Sequence, residues 1–274
     1  GTQDGLEAAF NLSALGTGFN VGAILLGCAV GAFIAGRLAD AIGRRTVMQI
    51  AAVLFIVSAF WAGAADSSAH FIIARFIGGL GVGAASVLSP AYISEVTPAS
   101  IRGRLSSVQQ IMIITGLTGA FVANYALAKT AGGSTAEFWL GYPAWRWMFW
   151  LQVIPAGVYF LALLAIPESP RFLVVKKKDV QAEAVLSKLF GHGAGARKDT
   201  EIRASLTADH KPRFADLLDP ATRKVRPIVW AGLILAVFQQ LVAINIVFYY
   251  GAVLWQSVRF SQNDALRLTI LSGA

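Results

Sequence analysis

Between Gln239 and Tyr250 the chain sets three carboxamides and two phenols, Gln239, Gln240, Asn245, Tyr249 and Tyr250, inside an apolar run from Val225 to Trp255. An unpaired amide in hydrocarbon is costly, by several kcal/mol in transfer terms, so these groups need partners. Amides donate and accept together, which suits a ligand rich in hydroxyls. Gln109, Gln110 and Thr115 put further polar groups into another apolar segment. One reading is hydrogen bonding between helices, worth about 0.6–2 kcal/mol in lipid. The other is a shared wet cavity that holds a sugar or polyol. At about 100° per residue, Gln239, Gln240 and Asn245 do not share one face of a straight helix. The cavity reading therefore requires that helix to break, or some of these amides to serve packing.

Charge supplies the second set of candidates. Arg75 lies within the apolar run Phe71–Pro90, where an arginine must snorkel to a surface or pair with an acid on another helix. Asp40, Arg44, Arg45, Glu95, Arg102 and Glu168 gather at the ends of apolar runs. They read either as anchoring charges with weak exposed ion pairs or as a latch that holds one side closed. The glycine run Gly78–Gly83 imitates a nucleotide-binding loop, but it sits mid-span with no strand before it, and close helix packing explains it better. His70, His192 and His210 form no ligand cluster, and neither a nucleophile elbow, a P-loop nor zinc spacing occurs. The chain is read as no enzyme, with no cofactor and no metal.

The elements that would position these groups are membrane helices. Of 274 residues 56% are hydrophobic and 14% charged, against about 25% charged in soluble domains. Apolar runs cover Gly18–Gly36, Thr46–Ala64, Phe71–Pro90, Leu105–Ala128, Trp147–Ile166 and Val225–Trp255, and another begins at Leu266; each of the complete ones is about long enough to cross a bilayer. Gly22, Gly27, Gly31 and Ala35 recur at the small-residue spacing that lets helix backbones approach. Short charged turns are expected at Gly36–Arg45 and Ser94–Arg104. Pro167 to Arg226 is highly charged and reads as a soluble linker of short amphipathic helices, with one at Val180–Phe190 and a glycine-rich break at Gly191–Gly195. The lone cysteine, Cys28, excludes a disulfide framework.

The net charge of +8 follows a pattern. Arg37, Arg44, Arg45, Arg102, Arg104 and the bases from Arg171 to Arg226 fall on alternate breaks, while Asp4, Glu7, Asp66, Glu137 and Asp264 mark the others. Lys and Arg mark the cytoplasmic side. Residues 1–17 are therefore expected outside and the long linker inside, which implies a span before Gly1. The positive balance is topology and not a nucleic-acid footprint.

Several motifs, in order, resemble the sugar porter family of the major facilitator superfamily. Gly36–Arg45 resembles the G-R-L-A-D-x-x-G-R-R loop after the family's second helix, and Arg75–Gly83 its fourth helix. Pro90–Glu95 with Arg102-Gly103 resembles P-x-Y-x-x-E and R-G. Trp145–Phe149 precedes the sixth helix, and Pro167–Arg171 resembles P-E-S-P-R after it. Gln239–Tyr250 resembles the seventh-helix Q-Q-x-x-G-x-N-x-x-x-Y-Y, with Ala243 where the family usually has glycine. Leu117 stands where some pentose and hexose symporters carry a second glutamine, so cargo is not transferable from them.

The resemblance implies an all-α membrane protein, a major facilitator helical bundle, seen as a fragment from roughly the second to the early eighth transmembrane helix. Residues 1–166 would be the N-terminal six-helix half without its first helix, 167–224 the cytoplasmic helical linker, and 225–274 the start of the C-terminal half. It implies sugar contacts at Gln110, Gln239, Gln240 and Asn245, and proton coupling through Arg75 and a first-helix aspartate. It also implies an inner charge network that includes Arg45, Glu95, Arg102 and Glu168. The expected function is monosaccharide transport across the cell membrane with a proton as co-substrate. A passive sugar or polyol facilitator and a non-transporting sugar sensor are the alternatives. The lipid bilayer is the surrounding partner, nucleic acid is none, and the full-length protein is expected to be a monomer. A 274-residue piece alone is expected not to transport.

Overall fold

The computed structural model describes residues 2–208, 218–219 and 224–241. It divides into two compact units, Gly1–Ile202 and Arg203–Ala274. In the first, α1 (Thr2–Phe10) is followed by four long helices: α2 (Ala14–Ile42), α3 (Arg44–Ala64), α4 (Ser68–Val96) and α5 (Ala99–Ala131). A two-stranded antiparallel hairpin, β1 (Glu137–Trp139) and β2 (Tyr142–Pro143), leads into α6 (Ala144–Trp150) and α7 (Val153–Ala165). Three short helices follow, α8 (Pro170–Val175), α9 (Asp179–Phe190) and α10 (His192–Ala208), the last running across the division. The second unit also holds an isolated bridge between Leu218 and Val225 and α11 (Pro227–Leu241). Among the described residues, five helical stretches are long and apolar enough to cross a membrane: Leu15–Ile42, Arg44–Ala64, Ser68–Val96, Ser100–Ala131 and Ala144–Ala165.

The helices outrun the apolar stretches that announce them. The expected charged turn at Gly36–Arg45 shrinks to Gly43 alone, and the one at Ser94–Arg104 to Thr97-Pro98. A helix satisfies its own backbone, so it continues past the hydrocarbon edge into charged sequence until a cap or a proline stops it. Conversely, the single span expected at Trp147–Ile166 is interrupted at Leu151-Gln152. Pro155 has no N–H for the Leu151 carbonyl, and Ile154 N–H donates to that carbonyl instead at 3.1 Å. The glycine-rich break at Gly191–Gly195 is also narrower than expected. Gly191, at φ +81°, closes α9, and α10 already contains Gly193 and Gly195. A Cβ on Gly195 would press on the Leu186 backbone, so glycine lets α10 fold back against α9. The polar opening of the chain forms α1, whose Leu6 and Phe10 join Phe71, Trp145 and Phe149 in an apolar cluster.

α2 and α4 meet backbone to backbone. A Cβ on Gly27 or Gly31 would strike the carbonyls of Phe76 or Leu80, and one on Gly79 or Gly83 those of Ile24 or Cys28. This is small-residue packing between apolar helices, and within the glycine run Gly78–Gly83 it is the work of Gly79 and Gly83, while Gly78 and Gly81 face Ser58 and Ala51 of α3. Gly22, of the same sequence pattern, faces open space. Asn20 fixes one end of the pair: its Nδ2 donates to Gly16 O at 2.8 Å and to Ser68 Oγ at 2.9 Å. Gly83→Val is expected to lower stability by about 1–3 kcal/mol or more, and Gly22→Ala to leave it within about 0.5 kcal/mol. Thermal unfolding in detergent measures both; equal effects would refute the packing account.

Candidate functional site

The first polar constellation grows from a corner. Gly43, between α2 and α3, has φ +106° and ψ 150°, a region that essentially only glycine enters. It carries no side chain to cap α3. Glu168 supplies the cap: its Oε1 accepts the Arg45 N–H at 3.1 Å and the Ser169 N–H at 2.8 Å. A carboxylate there faces the positive end of the helix dipole. A Cβ on residue 43 would collide with that carboxylate. In return, Arg45 donates from Nε to Leu163 O at 2.9 Å and from Nη2 to Leu164 O at 2.8 Å. Gln49 Nε2 adds a bond of 3.3 Å to Leu163 O. These carbonyls belong to the last turn of α7 and have no partner within it.

Arg44 continues the cluster. Its Nη2 lies 2.8 Å from Asp40 Oδ1 and its Nε 3.4 Å from Glu95 Oε2. Asp40 is 72% exposed, but the Arg44 and Glu95 side chains are each only 15% exposed, so the second pair is the better shielded from water and salt. Ser169 Oγ donates to Glu95 Oε2 and accepts from Phe172 N at 3.4 Å, starting α8. Tyr92 Oη donates to Pro167 O at 2.8 Å. Asp40, Arg44, Arg45, Glu95 and Glu168 are thus brought together. Arg102 is exposed on α5 and is outside the ion pairs formed among the described residues.

Arg75 belongs to the second constellation. It lines a cleft of about 310 Å³ with Ser58, Gln152, Tyr159, Phe55 and Pro155. Its guanidinium carbon lies 5.6 Å from the centroid of the Phe149 ring, a cation–π contact. Gln152 sits at the break between α6 and α7, so the interruption of that span places an exposed carboxamide on the same cleft as the half-buried cation.

The carboxamides differ in how far they can be followed. Gln110 is exposed on α5, amid exposed Ile111, Met112, Ile113 and Ile114. Gln239 and Gln240 are in the last turn of α11, with side chains outside the described residues. Asn245 lies outside the described residues altogether.

Sequence reasoning missed Gln152, Ser58, Tyr159, Ser169 and Tyr92. Gln152 carried the same signal as Gln110, an amide within an apolar run, with Pro155 three residues on. Ser58 and Tyr159 are ordinary in apolar helices, and only the fold turns them toward one space.

Long apolar helices, exchanged caps at one end and a cation with amide and hydroxyl groups among the spans define a multi-pass helical membrane protein. The family model described as "Sugar (and other) transporter" matches residues 2–274, and the chain belongs to this family. It is 47% identical over 240 residues to the glucose transport protein of Synechocystis sp., covering 87% of this chain and 51% of that protein. It is 35% identical over 258 residues to the D-xylose-proton symporter of Escherichia coli, covering 88% of this chain and 51% of that one. The solved structure of the major facilitator superfamily proton:xylose symporter XylE, bound to 6-bromo-6-deoxy-D-glucose, matches with a TM-score of 0.86 and 36% identity. That match covers 99% of this chain and 61% of XylE. The architecture is therefore that of the major facilitator superfamily, and the chain spans about half the length of the curated relatives it matches.

Gly43→Ala is expected to cost about 1–3 kcal/mol from backbone strain, and Glu168→Ala a similar amount from lost caps. Because the new Cβ would meet the Glu168 carboxylate, Gly43→Ala should cost less in a Glu168→Ala background. A double-mutant cycle on thermal unfolding tests this; additivity within about 0.5 kcal/mol would refute the contact.

Proposed function

We propose that the protein containing this chain is a secondary active transporter, carrying a hexose or pentose across the cytoplasmic membrane together with a proton. The observation that carries this reading is the sugar-transporter family match over residues 2–274. Relatives described as glucose, arabinose and xylose transporters support it. In this reading residues 1–166 belong to the N-terminal half, 167–224 to a cytoplasmic linker and 225–274 to the beginning of the other half. The Gly43 corner faces the cytoplasm and residues 1–17 face outside, because Arg37, Arg44, Arg45 and the linker bases share one side. The halves rock about the sugar, exposing it to one side at a time.

Gln110, Gln239, Gln240 and Asn245 hold the hydroxyls, since an amide can donate to one and accept from the next. Arg75 favours the ionised form of a nearby acid, which takes up the proton from outside and releases it inside. Inward movement of that charge is driven by about 2.3 kcal/mol per 100 mV. Asp40, Arg44, Arg45, Glu95, Arg102 and Glu168 act as the cytoplasmic latch. The exchanged caps, with the Arg44 and Ser169 contacts, support this role because they tie five helix ends into one unit that can move as a body.

A passive facilitator is the second reading. Sugar added to proteoliposomes holding the full-length protein should alkalinise the outer medium if transport is coupled. Gln240→Ala should reduce uptake about tenfold for the loss of one or two sugar hydrogen bonds. Uptake without proton movement would reject coupling in favour of the facilitator, and sugar binding without flux would reject transport.

A further inference from the structure

We infer that the lysine turn between α8 and α9 is a binding site for the headgroups of anionic phospholipids. Lys176, Lys177 and Lys178 are consecutive and exposed. They follow the six-residue helix α8, whose first residues pack against the end of the membrane helix α4, so they lie beside the ends of the spans, where the surface potential of an anionic leaflet acts on them. The turn is not free to swing away. α8 is pinned to the membrane helices by the Ser169–Glu95 hydrogen bond, and Phe172, Leu173 and Val174 are buried.

The backbone gives an independent observation. Lys177 has φ +57°, the left-handed conformation for which glycine is the usual residue at a helix C-terminus. Its N–H donates to Val174 O at 3.0 Å, and Lys178 N–H closes the turn on Leu173 O at 2.9 Å. The fold here wants glycine, yet the position carries a long cation. The conformation points to a task for that charge outside the packing of the protein.

The neighbours fit a headgroup layer. Lys176 Nζ lies 5.6 Å from the centroid of the Phe172 ring, holding one ammonium close to the turn. Val175 and Val180, on either side of the lysines, are 49% and 84% exposed and can enter the acyl boundary while the ammonium groups meet phosphate. Arg171 lies one turn earlier on α8. The adjacent acid, Asp179, opens α9 and complements that helix's dipole.

The test uses the full-length protein in neutral detergent, titrated with short-chain phosphatidylglycerol, short-chain phosphatidylcholine and inorganic phosphate, with calorimetry as the readout. Phosphatidylglycerol should bind with clear preference over the other two. Each lysine contributes about fivefold to affinity, so K176Q/K177Q/K178Q should lose roughly a hundredfold. Lys177→Gly separates charge from folding: it should raise the unfolding temperature while weakening phosphatidylglycerol binding about fivefold. Equal binding of the two lipids, phosphate binding as tightly as phosphatidylglycerol, or undiminished lipid binding by Lys177→Gly would each overturn the assignment.

Discussion

The structure of residues 2–202 depends on an exchange of helix caps. A membrane helix satisfies its interior backbone by itself but leaves open donors at its start and open acceptors at its end. Here α3 and α7 close each other. Glu168, just beyond α7, receives the Arg45 N–H in the first turn of α3, while Arg45 fills the last carbonyls of α7. Neither charge is spare, because each is spread over backbone dipoles of the opposite sign. Glu95, Arg44 and Ser169 extend the arrangement to α4, α2 and α8. The charged motifs at the ends of the spans are thus the means by which five helices share a common end.

The other end is held by a different chemistry. Leu6, Phe71, Trp145 and Phe149 form an apolar cluster, and Arg146 bonds Gly63 O and Asp66 while lying 5.0 Å from the centroid of the Trp145 ring. Between the ends, glycines of α2 and α4 interlock so closely that no methyl group would fit. Shielded ionic caps, bare backbone contact and aromatic packing follow one another along the same helices. The cleft at Arg75 opens where α6 gives way to α7.

Much of this was legible in the amino-acid order. The apolar runs located the membrane helices, and their charged ends grouped Asp40, Arg44, Arg45, Glu95, Arg102 and Glu168, of which the structure brings together all but Arg102. What the order could not express was pairing over distance. Nothing near Glu168 in the chain tells that its partner is the amide of residue 45, or that glycine at 43 exists to make room for it. Helix ends were misjudged because polarity was read as a turn, whereas backbone hydrogen bonding carries α2 on to Ile42. The break at Gln152 was concealed by an unbroken apolar composition, although Pro155 marked it. The carboxamides show the remaining limit: their type announces a need for partners, and Gln110 alone among the four has a described side chain.

The borrowed cap on α3 also sets a timetable for the newborn chain. The donor at residue 45 and its acceptor at residue 168 are 123 positions apart. At ribosomal speeds of about 5–20 residues per second, α3 waits roughly 6 to 25 s for its closing group to be synthesised. During that interval its first amides must be served by water or lipid phosphate at the membrane surface. The N-terminal helices therefore enter the bilayer as provisional neighbours, and their common end is locked only when the segment around Ser169 arrives.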